Sequence, residues 1–161
     1  MDKKDEALVW ILARHANLSS RALSKMTGLP LSTVHRRIKR LEREGVIIGY
    51  KAVIDYEKTT KPISALLLVD LPEGSGEKHV PKNDLVAKFA KFEEIEEIIE
   101  VQAFNFDLIL KARVCSLKRL SAFMEELRMI EGIEELASAI IVEEQTCSCD
   151  DTKYRAKTGR T

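Results

Sequence analysis

The chain has 161 residues, 45% of them hydrophobic, which is enough to bury a core in one domain or in two small ones. No run of about 18 apolar residues occurs, and the first residues mix charges with Val9, Trp10, Ile11 and Leu12. That pattern excludes a signal peptide and a membrane span and predicts a cytoplasmic protein. The 26 basic and 26 acidic side chains balance only in sum: residues 1–50 hold 10 Lys/Arg against 5 Asp/Glu, leaving 16 against 21 for the rest. A head at +5 and a body at −5 suit a head that meets a polyanion. Cys115, Cys147 and Cys149 are an odd number without the spacing of a disulfide framework, as in a reducing compartment.

Residues 3 to about 15 place Leu8, Ile11 and Leu12 at helical spacing, with Asp2 available as a cap. Ser19 or Ser20 caps a short second helix to about Met26, and Thr27-Gly28 supplies the turn. Pro30 opens a third helix that runs to Glu44 and stops at Gly45, with Leu31, Val34, Ile38 and Leu41 as one core-facing stripe. Ser32 partly compensates for the missing cap at Pro30. The β-branched run from Val46 to Asp55, interrupted by Gly49, reads as a two-stranded wing.

Asp55 to Pro62 is polar and ends in proline, as a linker would. Beyond it, Ile63 to Leu71 is a strand, and the stretch from Pro72 to Asn83 is a loop. Asn83 or Asp84 caps a helix with Leu85, Val86 and Phe89 inward. Ile95 to Gln102 and Asp107 to Val114 read as strands. Ser116 caps a longer helix with Leu117, Leu120, Met124 and Leu127 on one stripe, ended by Gly132, and Leu136 to Glu143 is a last strand. The order β-α-β-β-α-β is the split, ferredoxin-like plan, whose sheet carries helices on one face and leaves the other free for a second copy. The fold class is α+β: a winged helix-turn-helix over residues 1–55, a linker over 56–62, a ferredoxin-like assembly and effector domain over 63–143, and a tail over 144–161.

A short helix, a glycine turn and a longer basic helix are the parts of a helix-turn-helix, whose second helix must lie in a DNA major groove. Arg36, Arg37, Arg40 and Arg43 are placed to contact phosphates or the O6 and N7 edge of guanine, with Ser32 and Thr33 near the helix N-terminus for phosphate or base contacts.

Over residues 4 to 55 the sequence resembles the leucine-responsive regulatory protein/AsnC family of feast/famine regulators. The residues that carry the resemblance are Leu23-Ser24-Lys25-Met26-Thr27-Gly28-Leu29, the run from Ser32 to Ile47, Gly49-Tyr50 and Ala52-Val53-Ile54-Asp55, and more loosely Phe106-Asp107-Leu108-Ile109-Leu110-Lys111. The resemblance implies a transcription regulator whose C-terminal domain, of the RAM or ACT kind, pairs sheet to sheet in a dimer that can grow to tetramers or octamers. It also implies double-stranded DNA as partner, and a small effector, often an amino acid, bound around Gln102, Ala103, Phe104, Asn105, Phe106 and Asp107. Phe104 stands where amino-acid-binding members usually have glycine. A ring there fills ligand space and predicts weak or no binding of common amino acids.

Other chemistries find little support. Cys147-Ser148-Cys149 could hold a soft metal ion, but two thiols with no partnering histidine read as an inert tail. His15, His35 and His79 share no ligand spacing. Glu93, Glu94, Glu96, Glu97 and Glu100 flank apolar Ile95, Ile98 and Ile99 and read as a solvated, charged strand edge. No phosphate loop, nucleophile elbow or dinucleotide fingerprint is present, so neither enzyme activity nor a metal or other cofactor is expected. Haem-pathway decarboxylases share this fold, but the basic helix is kept here and no His- and Arg-rich cluster follows it. A sensor module with a vestigial head is the other alternative.

Overall fold

Asp2 opens the first helix, α1 (Lys3–Arg14), with a reciprocal cap. Its carboxylate accepts the amides of Lys4 and Asp5, both at 2.9 Å, and the Asp5 carboxylate accepts the Asp2 amide at 3.0 Å. Ser19 caps α2 (Ser20–Thr27), and Gly28 at φ 68° makes the left-handed turn that any side chain would disfavour. After α3 (Leu31–Arg43) the chain reverses at Gly45, φ 71°, where the amides of Val46 and Ile47 both donate to the Leu41 carbonyl. The three helices close on Leu8, Ile11, Leu12, Leu23 and Val34, with Leu18, Leu29, Ile38 and Ile47 at the margin. The computed structural model describes residues 1–72, 80–103 and 105–144, which divide into two units, Met1–Ile54 and Asp55–Glu144. His79, Phe104, Cys147 and Cys149 lie outside the described residues.

Three expectations for the first unit fail. Leu31 is 47% exposed: it stands in the first turn of α3 and overhangs the core that Val34 and Leu41 reach. Ser32 does not cap α3, which starts at Pro30 without a side-chain cap, the amides of Thr33 and Val34 using the Pro30 carbonyl at 2.9 and 3.0 Å. Residues 46–55 form no paired strands. Gly49 does not take the positive φ that a tight hairpin turn requires, and an isolated two-stranded ribbon is marginal in water. The helices recruit this segment instead, Ile47 against the core and the Tyr50 hydroxyl donating to Glu42 at 2.9 Å, which leaves Ile48 96% and Val53 62% exposed.

The second unit begins with a 3-10 turn, Tyr56–Lys58, and continues as β1 (Ile63–Asp70), α4 (Lys82–Phe89), β2 (Ile95–Glu100), β3 (Leu108–Val114), α5 (Leu117–Arg128) and β4 (Glu135–Ile141). The four strands form one antiparallel sheet in the order β2-β3-β1-β4, the ferredoxin-like arrangement. Alternation along the strands sends Ala65, Leu67 and Val69 of β1 and Leu108, Leu110 and Ala112 of β3 under the helices, against Leu85, Phe89, Leu120, Phe123 and Leu127. Phe92 meets Phe123 edge to face, 5.4 Å between ring centres.

Among the described residues no helix packs on the other sheet face. Leu68 stands there between Ile109 and Ala137, Leu66 between Lys111 and Ala139, and Ile99 beside Ile109. At one end of it Arg113, 5% exposed, donates to Glu96 at 2.8 Å and lies 3.5 Å over the Tyr56 ring. Tyr56, in the stretch read as a linker, thereby packs within this unit.

The buried stripe of α5 is Leu120, Phe123 and Leu127, so Phe123 was missed, and Leu117, 56% exposed just after the Ser116 cap, overhangs it. The helix stops at Arg128, four residues short of Gly132. Neither Asn83 nor Asp84 caps α4; Pro81, at φ −55°, already has the backbone shape of a helix start, and its carbonyl accepts the Asp84 and Leu85 amides. The glutamates are a solvated edge only in part: β2 is an edge strand and Glu93, Glu97 and Glu100 are exposed, but Glu94 and Glu96 are half-buried. Arg119 donates to Glu94 at 2.5 Å, Arg113 to Glu96, and Lys82 to Glu100. Burial raises the Glu94 carboxyl, but Arg119 together with its own backbone amide and the Lys61 charge outweighs it and holds the group below the usual carboxylate range.

Candidate nucleic-acid interface

With Val34, Ile38 and Leu41 turned to the core, a helix advancing about 100° per residue sends Ser32, Arg36, Lys39 and Arg43 to the opposite side, within an arc of about 60°. All four are exposed. Arg36 and Arg43 have no hydrogen bond or ion pair among the described residues, and Lys39 reaches only its neighbour Glu42 at 2.9 Å. The tract running from this face to its flank is a concavity lined by Arg36, Arg37, Lys39, Arg40 and Arg43, all of them basic.

Arg37 and Arg40 stand on the flank that faces α1, and both are engaged there. Arg37 Nη1 donates to Asp2 Oδ1 and Oδ2 at 2.9 and 2.8 Å and to Asp5 Oδ1 at 2.6 Å. Arg40 Nη2 donates to Asp5 Oδ2 at 2.5 Å, and its Nε lies 3.8 Å from Glu44. Asp5 is buried, 1% exposed, and the Arg37 side chain is 15% exposed. A buried carboxylate persists only when paired and hydrogen-bonded. Here the Asp2 amide and then Arg37 overcome desolvation and hold the Asp5 carboxyl below its ordinary value. Asp2, bonded by the Asp5 amide and by Arg37, is lowered to about 2. The carboxylates in turn raise Arg37 above its ordinary value.

Of the six residues that the sequence marks for DNA, Ser32, Arg36 and Arg43 thus share the outer face, while Thr33, Arg37 and Arg40 lie on the flank toward α1, Thr33 half-buried. Lys39 was missed, although the same arithmetic of three, four and seven residues that joins it to Ser32, Arg36 and Arg43 is legible in the sequence.

A family model described as winged helix-turn-helix DNA-binding matches residues 1–48. Over 142 residues the chain is 31% identical to the HTH-type transcriptional regulator FL11 of Pyrococcus furiosus, covering 88% of this chain and 89% of that one. It is also 29% identical over 148 residues to the leucine-responsive regulatory protein of Haemophilus influenzae, covering 89% and 85%. The chain belongs to the leucine-responsive regulatory protein/AsnC family. As a family member it is a DNA-binding transcription regulator, and its relatives carry the names of transcriptional regulators. A solved regulator from Neisseria meningitidis, in complex with L-methionine, has the same fold, with a TM-score of 0.78 at 22% identity over 92% of this chain and 94% of that one.

The connection between β2 and β3, where the family resemblance puts an effector, exposes Gln102, Ala103 and Asn105 and half-buries Phe106 and Asp107. Asp107 has structural work there. Its carboxylate accepts the Leu71 amide at 3.0 Å, its amide donates to Val69 and its carbonyl accepts from Val101, both at 2.9 Å. Among the described residues no three His, Cys, Asp or Glu side chains group as a metal site, and no helix is long and apolar enough to cross a membrane.

Proposed function

We propose that this regulator grips pseudo-palindromic operators as a dimer or larger assembly through the outer face of α3. Residues 1–55 are the DNA-binding head and residues 63–143 the assembly unit. The observation that carries the reading is the exposed row Ser32, Arg36, Lys39 and Arg43, in which two guanidiniums have no partner among the described residues. Such donors suit phosphate oxygens and guanine edges. The uncovered sheet face, with Leu66, Leu68, Ile99 and Ile109, supplies an apolar surface for a second copy. Two-fold pairing would set recognition helices roughly 34 Å apart, or a multiple of that. A regulator of DNA works where the DNA is, in the cytoplasm.

Selection of genomic fragments followed by titration of labelled duplex tests the reading. Arg36→Ala and Arg43→Ala weaken binding to the selected operator, and wild-type affinity in both would refute it.

The connection from Gln102 to Asp107 is the effector site of this reading. Phe104 in place of glycine predicts that common amino acids bind weakly or not at all. Calorimetric titration against a panel, L-methionine included because the Neisseria regulator is a complex with it, is the direct check. One micromolar binder would overturn the expectation.

A further inference from the structure

The two oxygens of Asp5 are divided between two arginines three residues apart on α3, Oδ1 taking Arg37 and Oδ2 taking Arg40. Asp2 takes Arg37 with both of its oxygens. The same two carboxylates are the cap of α1, each accepting the other's backbone amide. One cluster therefore fixes where α1 starts and which flank α3 presents to it. A guanidinium is a planar fork with fixed donor directions, and a carboxylate that is 1% exposed cannot follow it if it turns. A rotation of α3 by one residue's worth, about 100°, would carry Arg36 off the outer face and break these bonds. The cluster has a second effect. Two of the five cations lining the basic concavity are neutralised from inside the head, and binding a phosphate would cost them these bonds.

We infer that Asp5, seconded by Asp2, is a positioning residue for DNA recognition: it sets the rotation of α3 through Arg37 and Arg40 and withholds those two guanidiniums from the phosphate backbone. The inference rests on α3 being the DNA-contacting helix. It predicts that this chain's contacts with any duplex are fewer, and its choice among sequences sharper, than the count of arginines on α3 implies. Releasing the two arginines should trade specificity for general adhesion, because phosphate contacts carry no sequence information.

The test uses the full chain, its selected operator and a duplex of unrelated sequence, each titrated across a salt series. In Asp5→Asn, operator affinity falls roughly tenfold while affinity for the unrelated duplex holds or rises. The plot of log affinity against log salt steepens by about 0.9 for each guanidinium released. Asp5→Glu, which keeps the carboxylate and suits this cap position, returns both quantities toward wild type. Asp2→Asn leaves the buried carboxylate in place and moves both quantities the same way by less, so the test stands even if Asp5→Asn does not fold. A purely structural role predicts instead that both duplexes weaken in the same ratio with an unchanged salt slope, and that result overturns the inference. Arg36→Ala is the control. If it weakens operator binding while the aspartate variants leave slope and specificity alone, the positioning role fails and α3 keeps its place; if it has no effect, the α3 reading fails and the inference with it.

Discussion

Arg36 and Arg37 are neighbours in sequence, and replacing each by alanine separates the proposed DNA contact of α3 from its ion pairing inside the head. Arg37→Ala leaves Asp5, 1% exposed, with Arg40 and the Asp2 amide as its remaining donors. Deleting one partner of a buried ion pair costs ~3–5 kcal/mol, and those surviving donors put this case near the lower end, about 3 kcal/mol. In a unit of this size that loss lowers the melting midpoint by an amount on the order of 10–20 °C. Arg36→Ala removes an exposed side chain without a partner among the described residues, so stability stays within ~0.5 kcal/mol of wild type. Its effect falls on DNA. A lost phosphate contact flattens the salt slope by about 0.9 for each head, whereas a lost base contact costs about 1–3 kcal/mol at one operator position. Trp10, the single tryptophan, sits on α1 and makes fluorescence a reporter of the head during thermal melting. If Arg37→Ala melted like wild type while Arg36→Ala unfolded early, the division of labour argued from the ion pairs would be wrong.

Acid should weaken the head through its two paired aspartates. Asp2, lowered from 3.8 to about 2, and Asp5, also lowered, contribute stability above the unfolded value that is lost as pH falls through the folded one. The Trp10 transition therefore holds steady near neutrality and drops between about pH 4 and 2, and in Asp5→Asn part of that drop disappears; an unchanged acid profile in the variant would count against the pairing. Leu68→Asp on the uncovered sheet face is expected to halve the mass in light scattering while far-UV circular dichroism is kept, since Leu68 points away from the helices; an unaltered mass would remove this face as the assembly surface. Gly132→Ala places a Cβ 2.8 Å from that of Val80 at a φ of 96°, so it should cost more than about 2 kcal/mol in urea unfolding. A loss under about 0.5 kcal/mol would mean that the turn relaxes freely.

Punctuation in the sequence was the most legible part of the fold. Asp2, Ser19, Gly28, Gly45 and Ser116 act within one turn of where they stand, and each does in the structure what its local chemistry requires. The β-α-β-β-α-β order followed from periodicity because each element buries one face. What failed depended on neighbours. Leu31 and Leu117 carry the right spacing but sit at helix ends, where a stripe outruns the surface it packs on. The expected strand pairing over residues 46–55 failed because a β-branched run states a preference for extended backbone and says nothing of a pairing partner. Arg37 and Arg40 share spacing and chemistry with Arg36 and Arg43, and the difference between them is an acidic pair more than 30 residues away along the chain. The sequence does show Asp2 and Asp5 three apart and Arg37 and Arg40 three apart. Only the packing of α1 beside α3 brings the two pairs face to face.

That juxtaposition bears on how recognition could be transplanted. Moving α3 alone into another scaffold would carry along two guanidiniums whose counterions stay behind on α1, and the graft would arrive stickier and less discriminating than its parent. The portable module is the helix together with the first turn of α1.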